Sequence, residues 1–537
     1  MGEQRMDDRH NEVMLEECLR NMTIEEKVGQ LFTFYNHNPV YDDLMNTAIV
    51  DWKVGGLFLD MESLEEPVQV HRLTTAIQET ALHQRHGIPL FISADLVAGA
   101  GCKLSKGGAI HFPKNKAVGA CGDDKLAYES GRITALESLA LGINFNYSPV
   151  VDINNNPLNP VIGTHSFGEE VDVVSRMGTA VIRGYQDHGM VATAKHFPGH
   201  GDTHVDSHHA LPVISFDRDR LESFELEPFR RAIAAGVDAV MVGHISVPAL
   251  DSSGLPASLS YPITTGILRE QLGFEGLIVT DGMSMKGVTS QFSQAEACVM
   301  ALKAGADILL VCPENQGEGR EMVERVLAAA AGGEIEEAQI DASVWRILTM
   351  KNKYGLTKEQ LQITELDPAA LNRPEHEKVS LELARGALQE SKDFLALLQA
   401  AAADGSSWTL LWDKQLAGFA EQVRDEAFIA NTLELDSYES IVDVLKSYSS
   451  KESSSEEEQS ARLLIALTYN KLMKQDVLKA LNEYAASRPD QIALIHFGSQ
   501  YDLAHMQQVP ALLMYDKATG LQTAAAEFIK AHLKLNP

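Results

Sequence analysis

The sequence predicts an α/β protein, with an N-terminal (β/α)8 barrel of the TIM type followed by a smaller C-terminal α/β domain. Three observations carry this expectation. From about residue 23 to 315, short apolar runs alternate with amphipathic stretches. The runs are continuously apolar, as strands buried on both faces of a parallel sheet must be. Their C-terminal ends are polar: Asp95, Asp152, Lys195-His196, Gly243-His244 and Asp281 each close one. In a barrel those ends converge on one face, where active sites lie. A doubly wound open sheet is the alternative arrangement.

Taken in order, Thr23-Ile24-Glu25-Glu26 fits a capping box that opens a helix toward Leu31. Strand candidates are 31–35, 54–60, 89–95, 144–153, 191–196, 238–247, 276–281 and 307–312. Helical stretches include 217–235 and 294–304, and helices over 317–331 and 340–354 close the region. Pro368 and Pro374 interrupt the pattern, which sets domains of 1–375 and 376–537. Beyond about 380 a second alternation begins, with strand candidates at 408–412, 427–433, 462–467, 491–496 and 511–515. The run Lys451-Glu452-Ser453-Ser454-Ser455-Glu456-Glu457-Glu458 reads as a hydrophilic surface loop or an exposed helix start.

Composition narrows the partners. The chain has 537 residues, of which 45% are hydrophobic and 22% charged, with 45 basic against 75 acidic side chains and a formal charge of -30. That balance argues against nucleic acid and anionic membranes, which reward clustered lysine and arginine. No stretch approaches the ~20 apolar residues of a spanning helix. The five cysteines are scattered and odd in number, which suits free thiols in a reducing compartment. A cytoplasmic protein is the expectation, with a homodimer left open as its assembly.

Residues 195–209 are the richest stretch, with five histidines, two aspartates and a lysine in fifteen positions. Pro198, Gly199 and Gly201 forbid a regular helix through its first half. Three readings compete. The stretch is a polar turn, or a metal site built from His196, His200, His204 and His208, or a catalytic loop in which Asp206 supports His208. Residues two apart in extended chain point the same way. A carboxylate beside imidazole fixes the ring and stabilises its protonated form, which makes a general acid for near-neutral pH. An acid needs a nucleophile opposite it, and Asp281-Gly282-Met283-Ser284-Met285, after a buried strand, offers one; the competing reading of Asp281 is a helix N-cap.

These residues resemble glycoside hydrolase family 3, most closely its β-N-acetylhexosaminidase branch. The matching motifs are the loop from Lys195 to Pro212, Asn146-Tyr147-Ser148-Pro149-Val150-Val151-Asp152-Ile153-Asn154, Gly163-Thr164-His165-Ser166-Phe167-Gly168, Asp281-Gly282-Met283-Ser284-Met285 and Asp341-Ala342-Ser343-Val344-Trp345-Arg346-Ile347-Leu348. The resemblance covers about residues 20–360. It implies a retaining exo-β-N-acetylglucosaminidase that needs no metal or organic cofactor and takes a small β-linked GlcNAc oligosaccharide. Asp281 would be the nucleophile, His208 the acid/base and Asp206 its support, where most glycosidases use two carboxyl groups. It also implies that Asp95, Lys195, His196, Lys103, His165 and Met283 bind the sugar.

Departures from the family pattern follow Asp95, where Leu96-Val97-Ala98-Gly99-Ala100 replaces the usual Gln-Glu-Gly-Gly-Arg. Lys103 and His165 stand where arginines are common. Arginine and lysine are not equivalent at bidentate contacts, so the preference is expected to shift from muropeptides toward chitin-type oligosaccharides. The alternatives are a family 3 β-glucosidase or β-xylosidase, a catalytically silent sugar-binding protein, a metallohydrolase, or a phosphorolytic enzyme in which phosphate intercepts the glycosyl-enzyme.

Overall fold

A computed structural model describes residues 2–449, 462–469 and 472–533, with side chains from residue 12 onward apart from Lys392. The hydrophilic stretch expected over 451–458 lies outside the described residues. The chain divides into two compact units. One comprises residues 1–110, 127–162 and 169–373, and the other 111–126, 163–168 and 374–537.

The first unit is an eight-stranded parallel barrel. Its strands are β1 (Phe32–Asn36), β2 (Gly56–Leu59), β3 (Phe91–Ala94), β4 (Phe145–Asn146), β5 (Val191–Phe197), β6 (Ala239–Val242), β7 (Leu277–Thr280) and β8 (Leu309–Val311). Hydrogen-bonded neighbours run β7-β6-β5-β4-β3-β2-β1-β8. The ring closes through a bridge between Val279 and Ile308, with Thr280 N donating to Ile308 O at 3.0 Å. All eight expected runs therefore contain a strand of one sheet. β2, β3, β6, β7 and β8 are buried at every position, which is why their sequences lack the alternation of a half-exposed strand.

Local chemistry explains the helices between them. The Thr23/Glu26 capping box is present, with both reciprocal bonds, at the start of Ile24–Gln30. The helix expected over 294–304 is Gln294–Ala304, capped by Ser293 and stopped at Gly305 in the left-handed region. The helix expected over 217–235 is instead two, Arg218–Ser223 and Glu227–Ala234. Pro228 lacks the N–H that would bond back to Phe224, so one continuous helix cannot form. The break turns the buried Glu225 carboxylate inward onto Arg220 at 3.1 Å. The run expected over 144–153 is regular only at Phe145–Asn146. Past it, the chain still pairs with β5, because Val151 N donates to Lys195 O at 2.8 Å.

The helix Glu337–Lys353 carries Lys351 to the N-terminal end of the barrel, away from the polar strand ends. Its Nζ donates to Gln30 Oε1 and Gly55 O, each at 2.9 Å, and lies over the Phe91 ring. Burial pushes this ammonium down to about 7.

The second unit holds a six-stranded sheet ordered β11-β10-β12-β13-β14-β9. Its strands are β9 (Gln389–Glu390), β10 (Trp408–Asp413), β11 (Ile429–Leu435), β12 (Arg462–Tyr469), β13 (Ile492–Gly498) and β14 (Ala511–Leu513). The five parallel strands follow the 2-1-3-4-5 order of a doubly wound sheet. Alternate side chains feed two cores, with Leu410, Leu464 and Ile495 on one face and Leu411, Ile465 and Leu494 on the other. The short antiparallel β9 was not expected from sequence. It has only two exposed residues and carries no apolar signal.

Candidate active site

The barrel brings five polar strand ends to one mouth. Asp95 follows β3, Asp152 lies beyond β4, Lys195 and His196 end β5, His244 follows β6 and Asp281 follows β7. Lys195 Nζ donates to Asp95 Oδ1 at 2.6 Å, and the lysine side chain is almost wholly buried. At Gly243 the neighbouring strands are so close that an added Cβ would stand 3.1 Å from His196 Cβ. A side chain there would press on the imidazole.

Asp152 organises this floor. Its fully buried carboxylate accepts from His196 Nδ1 at 2.8 Å, from His196 N at 3.2 Å and from His200 N at 2.7 Å. Burial raises its pKa, but His196 and His200 outweigh that and hold the carboxyl below its ordinary range. His200 is itself buried, with Nδ1 on Thr203 Oγ1 at 2.8 Å and Nε2 on Ser207 Oγ at 3.1 Å. His204 Nδ1 lies 3.2 Å from Asn156 Nδ2. The histidines spaced by four are thus tied to separate local partners. Among the described residues, no three His, Cys, Asp or Glu side chains are grouped to hold a metal ion.

Asp281 stands half-buried at the end of β7, its Oδ1 accepting from Gly282 N at 2.8 Å. Desolvation pushes its pKa up, yet His196, His244, the Gly282 N–H and Lys195 together hold the carboxyl below the usual aspartate value. His244 is fully buried and joins Ser258 Oγ (2.7 Å) to Gly282 O (3.0 Å), which fixes the backbone beside that carboxylate. A Cβ on Gly282 would lie 3.2 Å from the Tyr35 hydroxyl, so β1 also reaches Asp281.

The loop after β5 carries the second group. His208 Nδ1 pairs with Asp206 Oδ1 at 2.7 Å, and the same oxygen accepts from His208 N at 2.8 Å. The imidazole is 60% exposed, free to meet a ligand. Asn159 holds the loop by donating to His200 O and Gly201 O, and Asn155 donates to Asp202. Gly287 N, six residues beyond Asp281, donates to Ser207 O at 3.0 Å. The loop of Asp206 and His208 therefore docks on the loop of Asp281.

The remaining sugar-binding expectations fare differently. Lys103 is half-buried beyond β3 and makes no ion pair among the described residues. His165 lies in the 163–168 segment that groups with the second unit, where its carbonyl accepts from Asn115 Nδ2 at 2.8 Å. Met283 requires correction. Its residue has no exposure and its N–H donates to Leu310 O at 2.9 Å, so the side chain fills the barrel wall and has no surface to offer a sugar. Sequence reasoning saw Asp152 and His244 only as polar strand ends. It missed Tyr35, because an aromatic inside an apolar run looks like core.

Fold and site together define a (β/α)8 barrel with a carboxylate–imidazole centre at the C-terminal mouth. The model of the Glycosyl hydrolase family 3 N terminal domain matches residues 23–350, and the chain belongs to that family. It is similar to Beta-hexosaminidase A of Pseudoalteromonas piscicida, 33% identical over 65% of this chain and 61% of that protein. It is also similar to the Beta-N-acetylglucosaminidase/beta-glucosidase of Cellulomonas fimi, 31% identical over 70% of this chain and 65% of that protein. The chain thus spans less than two thirds of the length of these two relatives. The solved structure of a glycoside hydrolase family 3 beta-N-acetylglucosaminidase from Paenibacillus sp. str. FPU-7 superposes with a TM-score of 0.84 at 30% identity, covering 96% of this chain and all of that one. Among the described residues, no helix is long and apolar enough to cross a membrane.

Proposed function

We propose that the chain is a retaining exo-β-N-acetylglucosaminidase that releases terminal non-reducing GlcNAc from chitin-type or cell-wall oligosaccharides. The observation that carries this reading is the docking of the Asp206–His208 loop on the loop of an ionised Asp281. The similarity to proteins named for beta-hexosaminidase or beta-N-acetylglucosaminidase activity supports it.

In this reading Asp281 attacks the anomeric carbon and forms a glycosyl-enzyme. Its depressed pKa keeps it nucleophilic at neutral pH. His208 protonates the departing oxygen and then takes the proton of the incoming water. Asp206, bonded to Nδ1, leaves Nε2 as the atom that exchanges that proton. An imidazole needs no large upward shift to serve as acid, unlike a glutamic acid. Lys195, His196 and Asp95 bind sugar hydroxyls through charged groups, whose hydrogen bonds are the stronger kind. The reading places the chain in the cytoplasm, where its five cysteines would stay reduced thiols.

The test compares p-nitrophenyl β-GlcNAc with its glucose analogue and traps the intermediate with a 5-fluoro glycoside. The N-acetyl substrate should be preferred, and mass spectrometry should find the label on Asp281. His208→Ala should lower turnover by about 10²–10⁴-fold, while Asp281→Asn should remove both turnover and label. A label elsewhere, or no turnover of the N-acetyl substrate at any pH, would end the proposal. A glucoside preference would select the β-glucosidase alternative, and sugar-1-phosphate among the products would select phosphorolysis.

A further inference from the structure

A second group of reactive side chains stands on the same face of the barrel, outside the groups assigned above. His37 follows β1, Asp60 follows β2 and Cys312 follows β8, three strands adjacent in the order β2-β1-β8. Cys312 Sγ lies 3.3 Å from His37 Nε2, and His37 Nδ1 lies 3.1 Å from Asp60 Oδ2. Asp60 is fixed in turn, because its Oδ1 accepts from Met61 N at 2.7 Å. With the carboxylate on Nδ1, that nitrogen carries the ring proton and Nε2 is left to accept from the thiol. Nucleophile, base and orienting carboxylate are thus in line. The His37 and Asp60 side chains are 41% and 35% exposed and the cysteine is half-buried, so small reagents can reach it.

The geometry points to Cys312 as a base-assisted nucleophilic thiol, a modification site for small uncharged electrophiles and for hydrogen peroxide. Burial, with Asp60, Glu314 and Glu318 nearby, pushes the thiol up. It is therefore protonated at rest and needs His37 to take its proton during attack. With peroxide, the S–O bond forms as O–O breaks. The thiol proton passes through His37 to the departing hydroxide, giving a sulfenic acid and water, with sulfur oxidised and peroxide reduced. With iodoacetamide, S–C forms, iodide leaves, and His37 receives the proton. The three carboxylates also predict charge selection, since anionic iodoacetate is repelled where neutral iodoacetamide is not.

The site neighbours the Asp281 machinery. The Tyr35 ring is 5.9 Å from the His37 ring, and its hydroxyl faces Gly282. Cys312 also lies near the Ser284 side chain, three residues past Asp281, which lowers the thiol's pKa against the effect of burial. An adduct on Cys312 is therefore expected to slow turnover, a consequence that rests on the function proposed above, whereas the labelling itself does not.

The experiment treats the full chain with limiting iodoacetamide and follows each of the five cysteines by peptide mass spectrometry. Cys312 should react first. His37→Gln should slow it by about 10²-fold, the lower end of what a positioned base contributes, while the rates of Cys18, Cys102 and Cys121 stay unchanged and report an intact fold. Cys18, whose Sγ is 3.9 Å from His86 Nδ1, is the internal comparison for a looser pair. Should His37→Gln not fold, the iodoacetamide-to-iodoacetate rate ratio in the unaltered protein decides, and should be larger at Cys312 than at Cys102. Equal reactivity of Cys312 and Cys102, no effect of His37→Gln, or no charge discrimination each overturns the assignment. Cys312→Ser should keep turnover and resist both reagents. If labelling is selective but no N-acetylglucosaminide is ever turned over, the proposed function fails and the thiol assignment stands.

Discussion

Asp152 shows how one buried carboxylate sets the chemistry of its neighbours. It orients His196 and anchors the start of the loop through His200 N, so its loss should act on both stability and activity. Its folded pKa lies below the ordinary aspartate value. The sign follows from linkage: a depressed carboxylate contributes stability that is present above the unfolded pKa and is lost as pH falls through the folded one. Asp152→Asn should therefore cost about 2–3 kcal/mol near neutrality, as expected for hydrogen bonds to a buried charge. In urea unfolding, the gap between the two proteins should hold steady above pH ~5 and shrink below about pH 3.9. A gap that widens on acidification would contradict this account. Sequence inspection found Asp152 as a polar strand end, because a lone aspartate after apolar residues is visible. It did not find the role, since the partners arrive from β5 and the loop beyond it.

The elements differ in how much their own sequence decides. Gln294–Ala304 has its cap, its apolar face and its glycine stop written locally, and its bounds were legible. The broken helix around Phe224 was not, because the signal of Pro228 was outweighed by a long amphipathic pattern. The loop after β5 is the most contextual element. Gly201 passes so near the preceding loop that a Cβ would sit 1.7 Å from Ile153 O, a contact with backbone that cannot rotate away. Gly201→Ala should destabilise by about 1–3 kcal/mol as an overpacked site. In the proposed mechanism it should also lower kcat/KM by roughly 10²-fold, because a displacement of about 1 Å moves the acid/base His208 off its geometry. Thermal unfolding and steady-state rates measure the two effects separately, and an unchanged kcat/KM would show that the loop need not be held there.

At the scale of the molecule, the second unit draws two segments from within the barrel's part of the sequence. Residues 111–126 and 163–168 group with 374–537. Ala117 lies in a core shared with Ala384, Ala387 and Phe394, and Ala120 and Cys121 pack against it. Cutting the chain after Arg373 would strip these residues of their partners. Each buried methyl or methylene contributes about 0.8 kcal/mol, so the 1–373 fragment should melt roughly 5 °C lower or aggregate. Calorimetry or light scattering on the fragment decides, and a melting temperature within a degree or two of the full chain would refute the expectation. Chain order gives no sign of this sharing, since the segments carry ordinary helix and loop composition.

Apolar patterning was enough to locate the eight barrel strands, because burial on both faces demands unbroken apolar runs. Local motifs also singled out Asp281, Asp206 and His208 as the candidates that the proposed function uses. Tertiary structure alone decided that the ring closes between β7 and β8, that Asp152 and His244 support the residues around them, that Met283 is wall and not site, and that Cys312 meets His37. Those facts depend on contacts between residues tens to hundreds of positions apart, and a distance across a barrel mouth leaves no periodicity in the chain that makes it.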